Sequence, residues 1–267
     1  MSSVYNKRSN LKMRSIAIII LLVVSCKPTP PSKTKIVGGA EVTDEKDITV
    51  RSTVSLLAAG GLCTGTIIGP NQVVTAAHCI KGSDVTIGFG ASKTPIPGVR
   101  VIGARAHPAW GDGKADQTHD IGMIIFEGQL PGNLGPVAIS PLTGISNGAA
   151  TILAGYGVTG ESNSDSGTLR KVAATIKKFI EGSKEFEMQE GMGVGSCYGD
   201  SGGPAYIQSG GQLTVIGATS RGANCDNGDG YYTDVRYYQG WLKCTAKEFG
   251  QPLGSLLNDS SNEACKP

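Results

Sequence analysis

The apolar positions of this chain come in short runs. Val54–Ala58, Cys63–Ile68, Val73–Thr75, Val85–Phe89, Val99–Ala104 and Ile121–Phe126 are apolar or alternate apolar with polar residues, and Gly and Pro separate them. A second set follows at Ala150–Ala154, Leu169–Ile176, Ala205–Gln208, Leu213–Ala218 and Gly230–Asp234. Short runs bounded by turn formers predict strands, because an amphipathic helix needs a longer stretch at helical period. Between the sets, Glu127–Gly135 reads as a linker rich in Gly and Pro. One helix is predicted, from Val235 through Trp241 to Phe249. No internal repeat is visible, and 39 glycines in 267 residues agree with many turns and an all-β class.

The first 35 residues follow a different pattern. Lys7, Arg8, Lys12 and Arg14 precede nine apolar residues, Ile16 to Val24. A helix needs about 20 apolar residues to span a bilayer, so a basic start and a short apolar run predict a secretory signal over residues 1–25. Val23-Val24-Ser25-Cys26 resembles a bacterial lipobox, in which the cysteine carries lipid. Residues 26–35 read as an extended proline-rich tether. The formal charge of +2 hides an asymmetry: residues 1–35 hold seven Lys/Arg and no acid, which leaves 17 basic against 22 acidic residues, near −5, from residue 36 onward. That balance argues against a nucleic-acid partner.

The chemistry concentrates in Gly199-Asp200-Ser201-Gly202-Gly203-Pro204. Serine is a weak nucleophile until a base and an orienting group activate it. The base candidate is His78, in Thr75-Ala76-Ala77-His78-Cys79. The orienting candidate is Asp120, which opens the apolar run Ile121–Phe126. Asp112 and Asp116 are rivals in a polar stretch, and His107 and His119 read as loop histidines.

These segments, with Ile36-Val37-Gly38-Gly39, resemble the trypsin/chymotrypsin family of serine endopeptidases over roughly Ile36 to Leu242. Gly155-Tyr156-Gly157, Ser220-Arg221-Gly222 and Gly240-Trp241-Leu242-Lys243 are weaker echoes of the same family. The resemblance implies two six-stranded antiparallel Greek-key barrels and a C-terminal helix, with the active site in the cleft between barrels. Residues 36–130 would form the first barrel, bearing His78 and Asp120. Residues 131–234 would form the second, bearing Ser201, and 235–267 the helix and tail. Ser201 would attack the carbonyl, His78 would shuttle the proton, and Asp120 would hold the imidazole. The N–H groups of Gly199 and Ser201 would form the oxyanion hole. Cleavage after Lys35 would free an ammonium on Ile36 to pair with Asp200, so the chain would be a zymogen needing an activating protease.

The same resemblance pairs Cys63 with Cys79 and Cys197 with Cys225, which leaves Cys244 with Cys265 once Cys26 carries lipid. It puts Gly195 and Ser196 at the base of the specificity pocket and Gly222 and Gly230 at its walls. With no aspartate at the base, an aromatic or large apolar residue is expected before the scissile bond, although Asp226 and Asp229 lie close enough to restore a basic preference. Arg221 stands where the family has tryptophan, which points to acidic or polar neighbouring subsites. Neither Cys-x2-Cys nor His-x3-His spacing occurs, so no metal is expected, and no cofactor. The expected product is a monomeric exported protease acting on proteins or peptides. It would touch the membrane only through a lipid on Cys26 or be secreted after activation. The alternative is a catalytically inactive protease-fold protein that binds or scaffolds.

Overall fold

A computed structural model describes residues 1, 36–58, 61–82, 84–92, 98–111, 117–132, 134–191, 193–225 and 228–253. The expected signal peptide, Cys26, the tether with Lys35, the rival acids Asp112 and Asp116, Asp226 and Cys265 lie outside the described residues.

The chain enters through β1 (Ala40–Glu41) and a short helix α1 (Ile48–Ser52), which the sequence reading did not anticipate. Asp47 caps α1 by accepting a hydrogen bond from the Thr49 N–H. A first sheet then forms from β2 (Thr53–Ala58), β3 (Gly61–Gly69), β4 (Gln72–Thr75), β5 (Val85–Gly88), β6 (Arg100–Ala106) and β7 (Gly122–Glu127). Its order is β5-β2-β3-β4-β7-β6, antiparallel throughout. Among the described residues its end strands β5 and β6 do not pair, so this sheet is a curled half-barrel.

The second sheet comprises β8 (Ala138–Ile139), β9 (Ala150–Gly155), β10 (Arg170–Ile180), β11 (Glu185–Gln189), β12 (Pro204–Ser209), β13 (Gln212–Gly222) and β14 (Gly230–Asp234). Six of these close a ring, β9-β10-β11-β14-β13-β12 and back to β9. β1 extends it on β10, and β8 runs parallel to β13. A 3₁₀ turn, Val235–Tyr238, leads into α2 (Gln239–Glu248). The single helix expected from Val235 therefore starts as a tighter turn. There the Asp234 side chain accepts from the Arg236 N–H.

Every strand read from the apolar runs coincides with a strand of the fold. The interior strand β7 is buried from Gly122 to Phe126, which explains its unbroken apolar run. One cluster fills the inside of the first sheet around Val54, Ile67, Ile87 and Phe126. Another fills the ring around Leu153, Ile176, Phe186 and Ile216. A third joins Ile68 and Ile125 of the first sheet to Tyr206 and Val215 of the second and Leu242 of α2, so the two sheets share a core.

Candidate active site

The loop that leads into β12 and the end of β4 approach each other at backbone range, and glycine makes that possible. Gly202 sits at φ +76°, and a Cβ there would fall 2.0 Å from Thr75 Oγ1 and 2.6 Å from the Ala76 nitrogen. Thr64 of β3 reinforces the junction: its N–H donates to the Ser201 carbonyl at 2.8 Å and its hydroxyl donates to the Gly199 carbonyl at 2.8 Å. Ser201, on the second half of the chain, is thus held against the segment that carries His78.

His78 lies in the 3₁₀ turn Ala77–Cys79 directly after β4. Its Nδ1 is 2.8 Å from Asp120 Oδ2, and its backbone N–H donates to Asp120 Oδ1 at 3.0 Å. Asp120 precedes β7, which pairs with β4, so the two residues meet across neighbouring strands. The carboxylate is 3% exposed. The Ser220 hydroxyl of β13 also donates to Asp120 Oδ2, at 2.7 Å. Ser220 entered the sequence reading only as part of an echo motif, without a role. A three-residue string carries no record of a contact made 100 residues away.

His78 and Ser201 line one cleft of about 380 Å³, together with Leu62, the Cys63–Cys79 bridge, Tyr198 and Gly199. No hydrogen bond joins the Ser201 hydroxyl to the imidazole among the described residues. Such contacts are commonly long in substrate-free sites and tighten on binding. The N–H groups of Gly199 and Ser201 have no acceptor among the described residues, whereas those of Asp200 and Gly202 donate to the Cys197 and Thr219 carbonyls. The Tyr198 carbonyl accepts from Val158, so the trans peptide turns the Gly199 N–H the opposite way. Gly199 adopts φ +102°, where a side chain is strained.

Behind the nucleophile candidate, Asp200 is buried. Its carboxyl accepts from the Gly157 N–H at 2.7 Å and the Cys197 N–H at 2.9 Å. Gly157 leaves the space, since a Cβ there would lie 2.6 Å from the carboxyl. Burial, aided by the nearby Glu190, pushes the Asp200 pKa up to about 7 against the pull of those two donors. No Lys or Arg lies within ion-pair distance among the described residues. Ile36 is 1% exposed, and Val37 forms a bridge with Gly195.

A second cavity of about 230 Å³ is lined by Ser201, by Thr219 to Cys225 and by Ser196. Gly222 lines it as expected, and the Cys197–Cys225 bridge closes one side. Cys244 is also disulfide-bonded. The floor differs from the sequence reading. Gly195 and Gly230 do not leave an empty base, because the Glu190 carboxyl fills the space beside both. Asp229 does not intrude: it pairs with Lys177. Arg221 lines the cavity and is held from behind. It forks onto Glu185, with Nη2–Oε2 at 3.1 Å, and its guanidinium stacks 4.8 Å from the Tyr231 ring. Glu185 thereby offsets part of its charge.

A family profile described as Trypsin matches residues 36–242. The chain is 26% identical over 262 residues to the clotting factor G beta subunit of Tachypleus tridentatus, covering 85% of this chain and 84% of that protein. It is 27% identical over 261 residues to chymotrypsin-like elastase family member 1 of Rattus norvegicus, covering 87% and 97%. It is 30% identical over 193 residues to a trypsin of Saccharopolyspora erythraea, covering 65% and 82%.

Proposed function

This chain belongs to the trypsin family, and on that premise we propose that it is a serine endopeptidase working through His78, Asp120 and Ser201. The observation that carries this reading is the shared cleft. An imidazole fixed by a buried carboxylate lines the same wall as a serine flanked by two unengaged N–H groups. In that arrangement Ser201 attacks the peptide carbonyl while His78 takes its proton. The developing oxyanion meets the N–H groups of Gly199 and Ser201, and His78 returns the proton to the departing amine. Water then repeats the cycle on the acyl-enzyme. Asp120 stabilises the imidazolium, helped by Ser220.

Labelling with a fluorophosphonate tests this reading. The probe should modify the processed protein, lose its target in Ser201→Ala, and keep it in Ser209→Ala, an exposed serine elsewhere. Wild-type protein that stays unlabelled, or label that persists in Ser201→Ala, would place the chain among inactive binding or scaffolding relatives.

We also propose that the protein is exported, tethered by lipid on Cys26, and activated by a protease cutting after Lys35. The freed ammonium of Ile36 would then meet Asp200, whose buried carboxyl has no cationic partner within ion-pair distance among the described residues. Such a pair is favourable only with close geometry, so it would form on cleavage and firm the loop bearing Gly199 and Ser201. The same cut would separate the catalytic domain from the lipid. Membrane and soluble fractions assayed before and after cleavage check this: activity should move to the soluble fraction, and activity that stays with the membrane counts against release.

A further inference from the structure

The acids around the second cavity divide into matched and unmatched. Glu185 holds Arg221, Glu187 holds Lys177 and Lys178, and Asp229 holds Lys177. Glu190, immediately after β11, has no Lys or Arg within ion-pair distance among the described residues. Its carboxyl instead accepts from neutral donors: the Tyr232 hydroxyl at 2.6 Å, the Ser196 N–H at 3.2 Å and the Ser196 hydroxyl at 3.2 and 3.3 Å. Burial dominates its titration and raises its pKa, which is the signature of a carboxylate lacking a counter-charge.

Its position is set by two absent side chains. A Cβ on Gly195 would lie 2.9 Å from Glu190 Oε2, and one on Gly230 would lie 2.6 Å from the same atom. The carboxyl therefore stands where side chains from the pocket base and wall would otherwise project. Ser196 links it to the cavity, because this residue both lines the cavity and donates to both carboxyl oxygens. Ser201 lines the same cavity.

We infer that Glu190 is the specificity-determining residue of this pocket, and that the side chain accepted before the scissile bond is a lysine or arginine. This rests on the protease reading above and replaces the aromatic or apolar preference suggested by the empty base. A cation reaching Ser196 gives Glu190 the partner it lacks. An aromatic ring in the same place seals a charge away from water without one, at a cost. Arg221 does not repel the incoming cation strongly, since Glu185 offsets part of its charge.

The test uses full-length protein cut with a lysine-specific endopeptidase that is then inhibited. Fluorogenic peptides with Lys, Arg, Phe or Leu before the leaving group are compared in kcat/KM. Binding of benzamidine is compared with that of its uncharged counterpart benzamide. Lys and Arg peptides should lead by about 100-fold, and Glu190→Gln should lower their turnover and benzamidine binding roughly 10- to 100-fold. Circular dichroism and a thermal melt that match wild type show that the variant folds. Labelled wild-type protein that cleaves Phe or Leu peptides as well as Lys peptides overturns the inference. So does benzamidine binding that Glu190→Gln leaves unmoved. If wild type does not label, the protease reading fails, and the benzamidine comparison still decides the role of Glu190.

Discussion

Ser220 and Asp200 show how much one contact matters at the residue scale. Ser220 donates the third hydrogen bond to the Asp120 carboxylate, after the two from His78. Ser220→Ala should lower kcat by roughly 10- to 150-fold, the worth of one hydrogen bond to a charged group, with KM nearly unchanged. Steady-state kinetics check this, and a rise in KM at constant kcat would argue against a positioning role. Asp200 bears on stability. Its native pKa near 7 exceeds the ordinary 3.8. Between those values the folded state keeps a proton that the unfolded chain has released, so stability falls as pH rises through the window. Each unit of difference corresponds to about 1.4 kcal/mol. Urea midpoints of the uncleaved protein should decline across that range, and Asp200→Asn should flatten the decline. Parallel curves for the two proteins would refute it. The triad candidates were legible because their motifs stand in order along the chain. Glu190 was not, because no local pattern says which acid will fill the space left by two distant glycines.

Among elements, β11 was the longest strand that escaped prediction, alongside the two-residue β1 and β8. Glu185-Phe186-Glu187-Met188-Gln189 places acids on one face, and carboxylates depress the strand signal. The fold accepts them because Arg221 and the Lys177–Lys178 pair neutralise Glu185 and Glu187, while Phe186 and Met188 fill the ring. α2 shows a related dependence. Phe249, just past it, covers Gly103 of β6, and Trp241 packs on His107, which stacks on His119 at 5.3 Å. Burial, then the charges of His119 and Lys184, hold His107 down to about 4. Below its ordinary 6.5 the unfolded chain binds a proton that the folded one refuses, so stability drops as pH falls from 6.5 towards 4. His107→Phe should lessen this acid-side loss in thermal melts. A variant that loses stability as steeply as wild type would disprove the coupling.

At the scale of the whole molecule, a few buried hydroxyls add to the shared core in tying one sheet to the other. The Tyr156 hydroxyl donates to the Thr53 carbonyl at 3.2 Å and to that of Gly90 at 2.5 Å. The Tyr206 hydroxyl meets Ser52 and Thr53. Tyr156→Phe keeps the ring and strips both bonds, so it should cost about 1–3 kcal/mol in urea unfolding, with a single transition retained. A split into two transitions would mean the sheets fold independently. The two sets of strands were readable in the spacing of apolar runs, and the two-barrel plan in the family resemblance. The open edge of the first sheet was not, since closure depends on strand tilt and register, which alternation alone does not encode. That plan has a consequence for the chain's life before and after it is whole. Asp120 needs Ser220 from across the molecule, and Ser201 needs the histidine of the opposite layer. A nascent chain halted midway, or one nicked into halves that drift apart, holds only part of the chemistry. Birth and decay of this protein should therefore pass through harmless pieces.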